Sequence, residues 1–432
     1  ILHMKKDDPA MAALLENEQQ RIEKTLDLIA AENHAPLSIM DALGSVFNTK
    51  TIEGYPGRRY HAGCVHADEV ERLAISRCQS LFNAEHVNVQ PHSGTSANLA
   101  VYFSVLNVGD KVLSMTLSHG GHLSHGHKAS SAGKCFEIKN YGIDKGNGRI
   151  DYQALADTAH AFRPAMISAG ASSYPRLIDY ERMAEIARSV SAYLLVDMAH
   201  IGGLVAAGVI PSPIPHADFV TFTCYKTMMG GRGGVILARQ PFAERIDRAV
   251  FPGCQGTSPV NTIAAKAVIF KLAGTTAFRK VQEKTLANAA HLARALQDKG
   301  LRIISGGTDT HQVLVDVTPR GLDGSRAEQA LESAGMVLNQ NVLPNDDNGK
   351  GGVSGIRIGT AGVATRGMGL KEMETIADWL DQVLYNHSDD GVILEVRDKV
   401  AEPVSYTHLR AHETQEVISY AVFCLKKGGG GG

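Results

Sequence analysis

From about residue 70 to 270, helix-like runs such as "DEVERLAISRCQSLF" and "DYERMAEIARSV" alternate with short apolar runs: "HVNVQ", "DKVLSM", "AYLLVD", "DFVTFT" and "GGVILA". This rhythm is the strongest constraint in the chain. Short β-branched runs separated by helices build a largely parallel sheet covered by helices, an α/β domain. From about 276 the pattern changes. A long helix including "TLANAAHLARALQDKG" precedes "LRIISGG", "HQVLVDV", a further helix and "GIRIG", which read as a smaller α+β unit. Ahead of the sheet, residues 11–30 place apolar side chains at helical intervals and predict one amphipathic helix. No internal repeat and no Gly-, Ser- or Pro-rich linker separates these parts, so two closely packed domains are expected.

Composition narrows the classes of function. A net charge of −2 gives no electrostatic footprint for nucleic acid or an anionic membrane. No apolar run approaches the roughly 18 residues that suggest a bilayer-spanning helix. The cysteines, at 64, 78, 135, 224, 254 and 424, show no paired spacing. Buried free thiols and a reduced, cytoplasmic compartment are the matching expectation. At the ends, "ILHM" reads as upstream sequence with Met4 as the start. Residues 403–432 break with the charged helical pattern before them, close on a run of glycines and read as a non-native tail.

Chemistry concentrates where the predicted strands stop. In "LLVDMAHIGGLVAAG" a buried strand ends at Asp197, and Ala199 and His200 follow at once. Ligands of open α/β sheets bind beyond the carboxyl ends of the strands, where this carboxylate either holds a heterocyclic nitrogen protonated or caps the next helix. In "DFVTFTCYKTMMGGRGG" another strand ends at Thr223, three residues before Lys226. That lysine is either a surface residue or a Schiff-base amine with a lowered pKa. Asp and Lys at neighbouring strand ends, beside "GGRGG", form the pair that pyridoxal phosphate requires. "VNVQPHSGTSANLAVYFSVL" then offers a phosphate cradle: a strand, Ser93-Gly94-Thr95, and a helix beginning near Ser96.

Two further stretches stay open on the residues alone. "SHGGHLSHGH" carries histidines at 119, 122, 125 and 127, which suit either a metal ion or a glycine-lined loop against a flat ligand, with His122 stacked on it. "VSGIRIGTAGVATRGM" places Arg357 on a short strand, as an ion-pair partner or a bidentate clamp for a carboxylate. The segment "NTKTIEGYPGRRYHAG" holds Glu53 on glycine-rich turn chemistry, either as a solvated charge or as an acid/base group.

Taken in order, "LIAAEN", "EGYPGRRY", "NVQPHSGT", "HGGHLSHG", "VDMAHIGGLVAAG", "YKTMMGGRGG", "FPGCQG", "NQNVLPND" and "SGIRIGT" resemble the serine hydroxymethyltransferase family over nearly all of 11–400. The resemblance implies a fold-type I pyridoxal-phosphate transferase, like aspartate aminotransferase. Its parts would be an N-terminal helix and interface arm at 1–60, a large cofactor domain at 61–275 and a small domain at 276–402. It implies pyridoxal 5'-phosphate as cofactor, tetrahydrofolate as cosubstrate and no metal. It implies a homodimer or a pair of dimers with shared active sites. By position, Lys226 matches the cofactor lysine, Asp197 the partner of the ring nitrogen, and His122 the stacked imidazole. His200, Ser172, Ala199 and Thr223 would border the cofactor. Ser93, Gly94 and Thr95 would hold its phosphate, helped by Gly256 from the partner subunit. Arg357 would take the substrate carboxylate. Glu53 matches the acid/base residue, reaching across the interface beside Tyr60. Leu117, Gly121, Leu123 and Asn341 match folate contacts, together with Glu53.

The chain departs from the family at four points around the amino acid. Ala31 replaces a serine, Thr51 and His61 each replace a tyrosine, and Tyr225 replaces the histidine before the cofactor lysine. Thr51 for Tyr opens space beside the substrate's α-carbon, which suits a quaternary centre. The family's α-methylserine branch shows that exchange, so the expected reaction is 2-methylserine + tetrahydrofolate giving D-alanine + methylenetetrahydrofolate + water. The ordinary serine/glycine reaction is the alternative. A folate-independent aldolase and an inactive scaffold stand further off.

Overall fold

The computed structural model describes residues 2–344, 346 and 352–410. A seven-stranded sheet runs in the order His86–Asn88, Gly234–Ala238, Phe219–Thr223, Tyr193–Asp197, Met166–Ala169, Lys111–Met115 and Glu137–Tyr141. All neighbours are parallel except Gly234–Ala238, which is antiparallel to both of its partners. Both faces are covered, which is why these strands read as unbroken apolar runs. Val235 and Leu237 enter one core with Val220, Phe222, Leu194 and Val196. Ile236 and Ala238 enter the core on the other face, with Phe219, Leu195 and the helix Gly94–Val105.

The second unit is a four-stranded antiparallel sheet in the order Arg302–Ile303, Gln312–Asp316, Gly355–Gly359 and Asn339–Asn341. The helices Thr276–Asp298, Gly324–Ser333 and Leu370–Tyr385 bury their apolar faces in its core. The fold is therefore α/β with a smaller α+β partner, as expected.

Three local expectations need correction. The predicted 11–30 helix ends at Lys24, because Thr25 turns extended and Leu26–Asp27 pair in parallel with Met336–Val337. Leu26 and Leu28 then join the smaller unit's core, so a tertiary partner overrides a helical pattern that continues through them. The helix expected near Ser96 begins at Gly94, with Ser93 as its cap. Cys64, Cys78 and Cys224 are buried free thiols, but Cys135 is half-buried and Cys254 exposed; Cys424 lies outside the described residues. In the predicted tail, the helix Asp390–Arg410 continues past 403, and 411–432 lie outside the described residues. Among the described residues, no helix is long and apolar enough to cross a membrane.

Candidate active site

Two adjacent parallel strands deliver the central pair. Asp197 ends one and lies beside Thr221 of the next, whose last residue, Thr223, precedes Lys226 by three. Both side chains border one cleft together with Ser93, Gly94, Thr95, His122, Ser172, Ala199, His200 and Thr223. Every predicted cofactor residue except Gly256 thus meets there. Tyr225 and Arg232 also line the cleft, with the guanidinium stacked 4.4 Å above the tyrosine ring.

Asp197 is held by partners that spacing alone did not reveal. Asn98 donates to its Oδ2 at 2.8 Å, His125 Nε2 lies 3.1 Å from the same oxygen, and the Ala199 amide donates to Oδ1 at 2.9 Å. These partners are themselves fixed, Asn98 by the Thr221 hydroxyl at 2.6 Å and His125 by the Tyr102 hydroxyl at 2.7 Å from Nδ1. Burial pushes the carboxyl's pKa up, yet the His125 hydrogen bond, the charges of His125 and His122, and the Asn98 amide outweigh it and hold it well below its usual range. The aspartate therefore stays ionised at neutral pH. His122, His125 and Asp197 offer ligand atoms within 4.8 Å of one another. His125 and Asp197 already bond each other, and His122 Nδ1 engages the Ser124 hydroxyl at 2.7 Å.

Asn98 and Tyr102 stand one helical turn apart on the helix that Ser93 caps. A polar residue and a tyrosine at i, i+4 in an apolar helix were the available signal for this pair. Ser93 Oγ accepts the Ser96 amide at 3.1 Å, and Ser96 Oγ accepts the Ser93 amide at 2.9 Å, a capping box. The first amides of the helix, at Gly94 and Thr95, have no intrahelical partner, and both residues border the cleft, an arrangement that suits an anion.

Lys226 is 7% exposed. Burial lowers its pKa to about 8, helped by the charges of Arg357 and Arg232 and opposed by Asp197. Its carbonyl accepts from Asn33 at 3.1 Å, which ties the N-terminal segment to the lysine loop. His200 is buried, its pKa is lowered first by burial, and its Nδ1 has no hydrogen-bond partner. It stacks on His311, whose Nε2 bonds the Ala30 carbonyl at 3.0 Å, one residue before the half-buried Ala31.

Arg357, on the smaller sheet, does not line the cleft itself but meets its border at Ser172. It donates to the Ser172 carbonyl at 2.8 Å and to Asn339 Oδ1 at 3.1 Å. Burial lowers its pKa to about 10, and its Nε is left without a partner. Among the described residues no carboxylate pairs with it. The unpartnered His200 and Arg357 nitrogens, the open helix start and the low-pKa lysine fit a phosphorylated, aromatic aldehyde and an amino-acid carboxylate beside it.

The other predicted residues do not line this cleft. Thr51 is exposed, Glu53 Oε2 lies 3.4 Å from His61 Nε2, and Tyr60 is 76% exposed with its ring edge-on to Phe251. Gly256 faces Glu53, since a Cβ placed on it would sit 3.8 Å from Glu53 Oε1. The loop under Glu53 is braced by Arg59. Arg59 pairs with Asp68 at 2.8 Å and Glu71 at 2.5 Å in a buried network, and donates to the Gly54 carbonyl at 2.6 Å. Gly54 sits at φ +87°, where a Cβ would meet the Arg58 carbonyl at 2.3 Å, so glycine is required there. Leu117 and Leu123 are exposed on the loop that carries Gly121 and His122, and Asn341 ends a strand with its side chain on the Val342 carbonyl.

An open sheet carrying this cleft at its strand ends defines a fold-type I pyridoxal-phosphate enzyme. Residues 4–380 match the family model described as serine hydroxymethyltransferase. A relative named serine hydroxymethyltransferase, from Halorubrum lacusprofundi, is 49% identical over 402 residues, covering 93% of this chain and 97% of that protein. The chain belongs to the serine hydroxymethyltransferase family. It is a hydroxymethyltransferase that uses pyridoxal phosphate and tetrahydrofolate. Neither match singles out the α-methylserine branch expected from Thr51.

Proposed function

We propose that the protein transfers a hydroxymethyl group between serine and tetrahydrofolate, leaving glycine, at a site shared between two subunits. The observation that carries this reading is Arg357. A half-buried guanidinium with no carboxylate partner among the described residues, near a lysine of lowered pKa, suits an amino acid bound by its carboxylate next to an amine-bearing cofactor site. Lys226 would hold the cofactor's aldehyde carbon, Asp197 would balance its ring nitrogen, and Ser93, Gly94 and Thr95 would hold its phosphate. Bound there, pyridoxal phosphate supplies the electron sink for breaking the amino acid's Cα–Cβ bond.

The chain's own residues would do the rest. Arg357 would orient the carboxylate through its open Nε edge. Glu53 would hold or move the proton on the hydroxymethyl oxygen. Because Glu53, Tyr60 and Gly256 lie outside their own chain's cleft, we assign them to the cleft of a second copy in a homodimer. Their clustering on one outward side supports that assignment. Leu117, Gly121, Leu123 and Asn341 would meet the folate.

A second reading rests on Thr51, Ala31, His61 and Tyr225: the amino acid is 2-methylserine and the product D-alanine. Rates of amino-acid formation from L-serine and from each 2-methylserine enantiomer, with and without tetrahydrofolate, separate these readings. Brisk folate-dependent glycine formation supports the first. D-alanine formation with much slower glycine overturns it in favour of the second. Cleavage that ignores folate would instead reveal an aldolase.

A further inference from the structure

Lys266 is 1% exposed in the helix Val260–Ala273, and its ammonium has no ion-pair partner among the described residues. Its Nζ donates to three main-chain carbonyls: Val89 at 2.6 Å, Gly234 at 2.9 Å and Pro91 at 3.1 Å. An ammonium has three donors and no acceptor, so this arrangement uses it completely. A methionine would fill much the same space without desolvating a charge, but would take one donor from each of these carbonyls, of which Pro91 keeps the Gly234 amide.

The three carbonyls belong to the two loops that build the cleft. Val89 and Pro91 bracket the turn leading to Ser93. Gly234 opens the strand that follows the Lys226 loop. The Gly234 amide returns to the Pro91 carbonyl at 3.0 Å. A Cβ on Gly234 would lie 2.1 Å from the Ser93 carbonyl, so the cradle passes directly over this clamp. Space for the lysine is built in, because a Cβ on Gly233, at φ +143°, would meet Lys266 Cε at 2.3 Å. Gly233 in turn accepts the Cys224 amide at 3.2 Å, two residues before Lys226. Between the clamped carbonyls, Gln90 donates to Glu71 at 2.8 Å and to the Gly54 carbonyl at 3.0 Å. Burial lowers the Lys266 pKa to about 8, and Cys224, Glu71 and Cys78, the groups facing it, oppose that shift.

We propose that Lys266 is a positioning residue that locks the turn before Ser93 onto the strand after the Lys226 loop, and so sets how tightly the cradle grips a phosphate. The inference rests on the cofactor roles assigned above. Its test titrates the apo-proteins of wild type, Lys266→Met and Lys266→Gln with pyridoxal phosphate and, separately, with pyridoxal, which lacks the phosphate. Apo-protein Tm is measured alongside. The Kd for pyridoxal phosphate should rise about tenfold in Lys266→Met and less in Lys266→Gln, which keeps two donors. The Kd for pyridoxal should change little. Equal losses for both ligands, or a lower Tm with an unchanged Kd for pyridoxal phosphate, would reduce Lys266 to a structural residue and overturn the proposal. If Lys266→Met does not fold, the same ratio measured on Lys266→Gln decides. A wild type that binds neither ligand overturns the cofactor assignment itself. A wild type that binds both, with variants of unchanged ratio, overturns this inference alone.

Discussion

The Lys226 cleft and the 48–63 segment belong to one chain but are finished to different degrees. In the cleft, Asp197, His125, Asn98, Tyr102 and Thr221 satisfy one another, and the lysine is almost wholly buried. In the segment, a buried Arg59 network holds the backbone, while Glu53, His61 and Tyr60 stand partly or largely open to solvent. A well-braced loop presenting exposed acid and aromatic groups is a surface prepared for something outside the chain. On the assignment proposed above, the cleft holds the cofactor and the segment completes the cleft of a second copy.

The sharpest way to break this comparison is Lys226→Ala. Turnover should fall by more than about 10³-fold, with covalent capture of the cofactor abolished. Removing a cleft side chain with no hydrogen-bonded network of its own should leave Tm nearly unchanged. Retained covalent labelling in this variant, read by mass spectrometry after borohydride reduction, would show that another lysine does the work.

Glu53→Gln probes the other region. Turnover should drop by about 10²–10⁴-fold, the range for a lost general acid or base. Affinity for pyridoxal phosphate and Tm should both stay put, since the side chain is 39% exposed and lies outside the cleft of its own chain. Mixing Lys226→Ala with Glu53→Gln after subunit exchange should restore about a quarter of wild-type turnover, because half the dimers then carry one intact shared site. Absence of any recovery, with exchange verified, would mean that each chain uses its own Glu53.

How far these regions were legible in the sequence follows from what held each piece. Lys226, Asp197 and the Ser93 turn announced themselves because buried parallel strands leave apolar runs that stop abruptly at chemistry. Glu137–Tyr141 went unread as a strand because it is the sheet edge, exposed along most of its length, and "EIKNY" carries little apolar signal. Met166–Ala169 has only four residues. His125, Asn98 and Tyr102 became partners of Asp197 through contacts spanning 72 to 99 residues, or through one another, which no local spacing encodes. The same holds for Lys266, whose carbonyl partners lie 32 to 177 residues away. The opposite failure occurred at Leu26 and Leu28, where local pattern spoke for helix and a distant strand won.

A smaller effect tests the segment's role in choosing the substrate. Thr51→Tyr restores an aromatic ring where the chain departs from its family. The ratio of 2-methylserine to serine turnover should move toward serine by about 10–200-fold, the discrimination available from one methyl group in a pocket. Measured on the purified protein with each substrate in turn, an unchanged ratio would show that Thr51 does not border the amino acid, and would remove the main support for a quaternary substrate.

The smallest effect is one of pH, and it isolates the cleft from the segment altogether. Burial, with Arg357 and Arg232 nearby, lowers the Lys226 pKa to about 8, against the opposing pull of Asp197. The reactive species is the free amine. Its fraction therefore rises about tenfold per pH unit below 8 and levels off above it, whereas an ordinary lysine would keep gaining amine until about pH 10.4. The rate at which apo-protein covalently captures a simple aromatic aldehyde without a phosphate should follow that curve and plateau just above pH 8. Asp197→Asn removes the charge that favours the ammonium, so its plateau should begin at lower pH. Glu53→Gln, acting outside this chain's cleft, should leave the curve where it is. A plateau that moves with Glu53→Gln would place the carboxylate against its own chain's lysine and dissolve the distinction between the two regions.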